Sequence, residues 1–197
     1  MNGARRPPLR TFFALWPPAP TRDALSRAAR LMAQACGAKA SRPETIHLTL
    51  VFIGPTPVER VDALRALMDD TAGSAFSLQL DHYGWWRHNG IAWAGARAAP
   101  EPLIALQARL ARGAERLGFS LDVRPYVPHV TLARDAGRSP PSALLAPLNW
   151  HVDSFVLISS EPGPQGAAYR VLHQRPLAVD PVAKPTPARA VRRGAVD

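Results

Sequence analysis

The sequence predicts an α+β fold in which helices are interleaved among mostly hairpin-like strands. Three observations carry that expectation. The apolar period switches repeatedly between helical and alternating spacing along the chain. The 197 residues, 47% hydrophobic and 20% charged, fit one globular domain and exclude a wholly disordered or fibrous chain. Two segments 82 residues apart, Pro-Glu-Thr-Ile-His-Leu-Thr-Leu at 43–50 and Pro-Tyr-Val-Pro-His-Val-Thr-Leu at 125–132, share proline, three residues, then His-x-Thr-Leu. Two half-length units, each carrying this strand, suggest an internal duplication.

The elements follow in order. Arg10–Trp16 is aromatic-rich and reads as a buried strand. A helix starts at Thr21 with Leu25, Ala28, Met32 and Ala35 as one stripe, and Gly37 ends it. Thr45–Ile53 reads as a strand. Thr56-Pro57-Val58-Glu59 has the form of a capping box with proline at the first helical position, ahead of the stripe Val61, Leu64, Met68. Phe76–Tyr83 and Ile91–Arg97 read as a hairpin closed by Trp-Arg-His-Asn-Gly. A helix over 101–117 turns Leu103, Leu106, Leu110 and Leu117 inward and ends at Gly118, and strands are expected at Val127–Ala133, Trp150–Ser159 and Ala168–Gln174. These limits give a flexible basic segment at 1–9, one domain at 10–177, and a disordered tail rich in proline, alanine and arginine at 178–197.

The net charge of +9 favours anionic partners without naming one. The single cysteine, Cys36, excludes an intrachain disulfide and a cysteine-cage metal site and makes a reducing, cytoplasmic setting the default. No apolar run approaches the roughly 20 residues that span a bilayer.

The chemistry is concentrated in the paired segments. Side chains alternate on a strand, so His47 and Thr49 share one face and Leu48 and Leu50 the other; His129 and Thr131 repeat the pattern against Val130 and Leu132. Two imidazoles converging across a cleft suit general acid–base work near neutral pH, one neutral and one protonated. Threonine hydroxyls can donate to an anionic oxygen between them. A phosphodiester fits that set, since it needs a base, an acid and donors to its non-bridging oxygens. Two histidines alone leave a zinc site short of ligands, and Glu44 lies beside only one of them.

His47-Leu48-Thr49-Leu50 and His129-Val130-Thr131-Leu132 resemble the paired H-x-T-x motifs of the two-histidine phosphoesterases. More closely, the chain is similar to the RNA 2′,3′-cyclic phosphodiesterases, also described as 2′-5′ RNA ligases. The supporting context is Arg10-Thr11-Phe12-Phe13-Ala14, Arg42-Pro43-Glu44, Val51-Phe52-Ile53-Gly54, Pro128 and Ala133-Arg134, over about residues 9–176. The resemblance implies a bilobal fold of two pseudo-twofold-related lobes, each an antiparallel sheet backed by helices, with the active site in the groove between. It implies metal-independent, cofactor-free hydrolysis of an RNA or nucleoside 2′,3′-cyclic phosphate to the 2′-phosphate, with 2′-5′ joining as a minor reverse activity.

In that scheme His129 is the proton acceptor and His47 the proton donor. Thr49 and Thr131 hold non-bridging oxygens or orient the imidazoles, and Arg134 clamps phosphate in two-pronged fashion. The expected partners are RNA ends or nucleotides bearing the cyclic phosphate, with no membrane, and the expected state is a monomer. Position 134 falls on the opposite face of an ideal strand from His129, so either a bulge or the strand end turns Arg134 back, or it serves a structural ion pair instead. Phe13, Tyr126 and Trp93 are candidates to stack on a base, and Arg42 and Arg124 to meet RNA phosphates. Two alternatives remain open: a non-catalytic nucleotide-binding module, and a phosphodiesterase for another cyclic or 2′-5′ phosphodiester.

Overall fold

The computed structural model describes residues 7–141, 146–164 and 166–179. In chain order the elements are β1 (Leu9–Leu15), α1 (Ala19–Cys36), β2 (Lys39–Ala40), β3 (Leu48–Thr56), α2 (Val61–Asp70), β4 (Phe76–Leu80), β5 (His82–Trp86), β6 (Ile91–Gly95), α3 (Glu101–Arg116), β7 (His129–Arg134), β8 (Leu148–Val152), β9 (Ser154–Glu161) and β10 (Ala168–Pro176). One antiparallel sheet runs β10-β9-β1-β3-β7-β6-β5, with β2 on β7, and β4 pairs with β8 in a separate ribbon. The fold is α+β, as expected.

The large sheet has two halves. β1 and β3 are paired along their whole lengths, as are β5 and β6, but β3 and β7 pair only through Leu48 and Val130. The halves also share one core, in which Leu15, Leu48, Leu64, Leu106, Val130 and Phe155 are fully or almost fully buried. Helix α1 leaves the first half to pack on β7 and β2, while α3 packs on β3 and α2 on β10. All three helices therefore lie against the inward face, and the opposite face carries the polar residues of the two His-x-Thr segments.

Several local expectations change. The stretch 43–45 is a short 3-10 turn, so His47 precedes β3 instead of lying within it. Thr56 forms no helix cap: its hydroxyl hydrogen-bonds that of Thr11 at 2.7 Å and donates to Gly54 O at 3.2 Å, inside the β1–β3 ladder. The expected strand 76–83 divides at Asp81, whose backbone N–H bonds Gly95 O, and only its second part joins the hairpin with β6. Gly37 ends α1 in the left-handed conformation (φ 62°), the role its position indicated. The expected flexible N-terminal segment and tail lie mostly outside the described residues. At their inner edges Leu9 opens β1, and Ala178 bridges Ser74. No helix among the described residues is long and apolar enough to cross a membrane.

Candidate active site

Both histidines stand one residue ahead of the Leu48–Val130 pair that joins the halves. Each is held the same way. His47 Nδ1–H donates to Thr45 O at 2.7 Å and His129 Nδ1–H to Val127 O at 2.8 Å, in both cases the carbonyl two residues back. A donated Nδ1–H leaves Nε2 as the lone-pair nitrogen of each neutral ring. The halves then diverge. Thr49 Oγ1–H donates to His47 Nε2 at 3.1 Å, whereas His129 Nε2 has no hydrogen-bond partner among the described residues. Tyr126 braces this arrangement from the β7 side by donating to Thr49 O at 3.2 Å, and its buried phenol titrates above its usual range.

Aromatic rings wall both imidazoles. Phe12, Tyr169 and Trp16 lie 4.9, 5.3 and 6.2 Å from His47 between ring centroids. Trp86 meets His129 edge-on at 4.6 Å, and Trp93 is 6.4 Å away. Trp93 in turn lies over two glycines: a Cβ on Gly84 would fall 2.1 Å from its ring and one on Gly95 2.9 Å from it. Glycine at these two positions is what lets an indole lie flat on the strands.

Register shifts decide which side chains reach this face. On β7, Thr131 pairs with Trp93 and Ala133 with Ala92, so Leu132 is an extra residue. Leu132 and Ala133 are consecutively buried, alternation restarts one residue late, and Arg134 returns to the face of His129 and Thr131. Of the alternatives the strand geometry left open for Arg134, a bulge is the one present. On β3 the same thing happens at Leu50: Ala14 pairs with Thr49 and Phe13 with Val51, which returns Phe52 to the site face. Both bulged residues are the fourth of a His-x-Thr-Leu segment.

The electrostatics follow from burial. Loss of water is the largest influence on His47 and pushes its pKa down to about 4; the charges of His129 and Arg134 push the same way, against the Thr45 hydrogen bond. His129 is also lowered, again chiefly by burial, with Arg134 adding to it and the Val127 bond opposing. The Arg134 guanidinium thus lies close enough to act on both imidazoles. Anionic substrate would offset these unfavourable charges and raise both values.

His47, Thr49, His129, Thr131 and Arg134 are brought to one face. Other candidates are not. Phe13 is wholly buried in the core. Arg42 donates to Ala167 O at 2.5 Å and pairs with Glu44 at 3.2 Å, and Arg124 is engaged by Asp122. Phe12, Trp16, Tyr169 and Trp86, which adjoin the histidines, are not among the residues the sequence offered for base stacking. Their signal was their number on strands, with no face assigned. Among the described residues no three His, Cys, Asp or Glu side chains gather as a metal site would need.

Comparison with known proteins identifies the family and the fold. Residues 17–164 match the model of the 2′-5′ RNA ligase superfamily. The chain is 35% identical over 161 residues to an RNA 2′,3′-cyclic phosphodiesterase of Escherichia coli, covering 78% of this chain and 88% of that protein. It is 34% identical over 179 residues to one of Thermus thermophilus, covering 84% and 89%. The crystal structure of E. coli LigT complexed with 3′-AMP superposes with a TM-score of 0.78 at 30% identity, covering 86% of this chain and 98% of that one. The phosphate complex of LigT gives 0.74 at 28% identity, with 88% and 99% covered. With most of its length matched, and with its two His-x-Thr segments meeting at one sheet junction, this chain belongs to the 2′-5′ RNA ligase superfamily of two-histidine phosphoesterases.

Proposed function

We propose that the protein hydrolyses the 2′,3′-cyclic phosphate of an RNA end or nucleoside to the 2′-phosphate. The observation that carries this reading is the pair of imidazoles fixed alike through Nδ1, with both Nε2 atoms on the sheet face where Arg134 acts on each. Family relatives named for this activity support the substrate class.

His129 is the proton acceptor, because its Nε2 lone pair carries no intramolecular hydrogen bond. It takes a proton from water as the water oxygen bonds to phosphorus. The P–O3′ bond breaks, and His47, charged in the bound complex, gives its Nε2 proton to O3′. Water is added across one bond and the protons balance. Thr49, already 3.1 Å from His47 Nε2, keeps that ring oriented, and Thr131 offers a hydroxyl beside His129. Arg134 is suited to the non-bridging oxygens, since a guanidinium presents paired donors that lysine lacks.

The test is turnover of a nucleoside 2′,3′-cyclic phosphate in excess EDTA, with the product isomer identified. Formation of the 2′-phosphate, lost in His47→Ala and His129→Ala, supports the reading. Formation of the 3′-phosphate overturns the assignment of the leaving oxygen, and no turnover overturns the activity.

A further inference from the structure

We propose that Arg10 and Phe52 form a second binding site, which holds the nucleotide preceding the cyclic-phosphate end of an RNA strand. This rests on the hydrolytic reading above and extends it from a terminal nucleoside to an RNA. The starting point is symmetry. Phe52 and Arg134 each stand five residues after a motif histidine, and each is returned to the site face by an extra leucine, Leu50 or Leu132. Arg134 puts a cation there. Phe52 puts an aromatic ring there, and the Arg10 guanidinium lies over that ring at 4.8 Å. The two halves thus present cations at equivalent places by different means.

The pair has the properties of a recognition surface and lacks those of a structural one. Phe52 is 43% exposed, although β1 and β3 bury most of their other apolar side chains. Arg10 has no hydrogen bond from its side chain and no carboxylate partner among the described residues. Arg42, Arg65 and Arg124 each have one. Arg60, the other arginine lying over a ring among the described residues (Phe119, 4.2 Å), donates to Leu117 O. Of these two ring-stacked arginines, Arg10 is the one whose guanidinium donors are left for an external anion. Stacking on the ring restrains it beforehand, which lowers the ordering cost of binding.

Position favours a nucleotide over a free anion. Val171, Ile158, Phe12 and Phe52 form one row across four strands on the site face, and Val171 at its end is 44% exposed. Phe12, in the same row, touches His47. Along β3, Phe52 is two ladder steps beyond Thr49, roughly 7 Å at the usual rise per residue. An RNA strand leaving the reacting phosphate along β3 meets a ring on which any base can stack and a cation for its phosphate.

The experiment compares kcat/KM for a nucleoside 2′,3′-cyclic phosphate and for a short RNA with the same end, in wild type, Phe52→Ala, Phe52→Tyr and Arg10→Gln. Wild type is expected to favour the RNA. The RNA-to-nucleoside ratio should fall roughly tenfold in Phe52→Ala, the scale of one lost base stack, and recover in Phe52→Tyr. Arg10→Gln should lower the ratio and reduce the salt dependence of RNA binding by about one charge. A wild type indifferent to the added nucleotides, or ratios unchanged in both Phe52→Ala and Arg10→Gln, overturns the site. Affinity for the 2′-phosphate-ended RNA reads the same substitutions without turnover. Inactive wild type therefore overturns the hydrolytic reading, while the binding series still judges Arg10 and Phe52.

Discussion

Leu48 and Val130 pair across the junction of β3 and β7, and each directly follows a histidine. An antiparallel pair has a local twofold axis between its members, so this contact relates His47 to His129, Thr49 to Thr131 and Leu50 to Leu132. Both residues are fully buried, a stabilisation of very roughly 1.5–3 kcal/mol for each side chain. The core contact that joins the halves is thus also what registers the two imidazoles against one another. Symmetry ends at the hydroxyls, because Thr49 occupies His47 Nε2 and nothing described occupies that of His129.

That asymmetry separates the two proton-transfer roles. His47→Ala and His129→Ala should each lower kcat for the cyclic phosphate by roughly 10²–10⁴-fold while keeping the wild-type fold by circular dichroism. An aryl phosphodiester whose phenolate leaves without a proton should restore much of the rate to His47→Ala and none to His129→Ala. Equal losses on both substrates would dismiss His47 as the donor.

The pH dependence has a defined sign. In the free protein His47 sits near 4 and His129 below its ordinary 6.5, so the limbs of kcat/KM should fall on the acid side of 6.5. Bound phosphodiester places a negative charge beside both rings and raises both values. The optimum of kcat should therefore lie at higher pH than that of kcat/KM. Coincident optima, with chemistry shown to limit the rate, would contradict the electrostatic account.

Much of this site was legible because a strand's period of two is rigid. Spacing alone placed His47 with Thr49 and His129 with Thr131 on common faces. The period failed where an extra residue enters. Leu50 and Leu132 are apolar and buried, so nothing in their chemistry marks them as bulges, yet they decide that Phe52 and Arg134 face the site. The aromatic walls were hidden for a related reason. Phe12 and Phe13 are identical in composition, and only the ladder tells that one meets His47 while the other fills the core. At Thr56 local chemistry misled, because a hydroxyl that could cap a helix found Thr11 across the sheet.

Arg134→Lys tests whether the bulge at Leu132 serves phosphate binding. Loss of the paired donors should raise KM for the cyclic phosphate and lower kcat/KM by roughly tenfold to a hundredfold, the scale of one or two charged hydrogen bonds. Inorganic phosphate should inhibit the variant less than wild type. Unaltered KM and inhibition would assign Arg134 to the sheet edge, beside its β2 partner Lys39.

Gly84→Ala probes the wall beside His129. Its Cβ would lie 2.1 Å from the Trp93 ring, so the indole must leave its seat on β5 and displace Trp86, which packs on it at 5.3 Å. Overpacking of this kind costs about 1–3 kcal/mol and should lower Tm by several degrees. Because Trp86 touches His129, kcat/KM should fall as well, and Gly84→Ala combined with Trp93→Phe should recover part of both losses. Wild-type Tm and turnover in Gly84→Ala would show that the indole stack does not position His129.

Folding stability should carry the signature of the buried His47. Its folded pKa, about 4, is below the ordinary 6.5, so the unfolded chain takes up the proton first as pH falls. The stability it contributes is complete above 6.5 and is lost progressively as pH drops from 6.5 towards 4. His47→Gln removes that group from both states, so its denaturation midpoint should fall less steeply across this window than that of wild type. The carboxylates common to both proteins cancel in the comparison. Parallel curves from pH 7 to 4 would mean that His47 is as well solvated in the folded protein as in the unfolded chain, and the acid-side limb expected for kcat/KM would lose its cause.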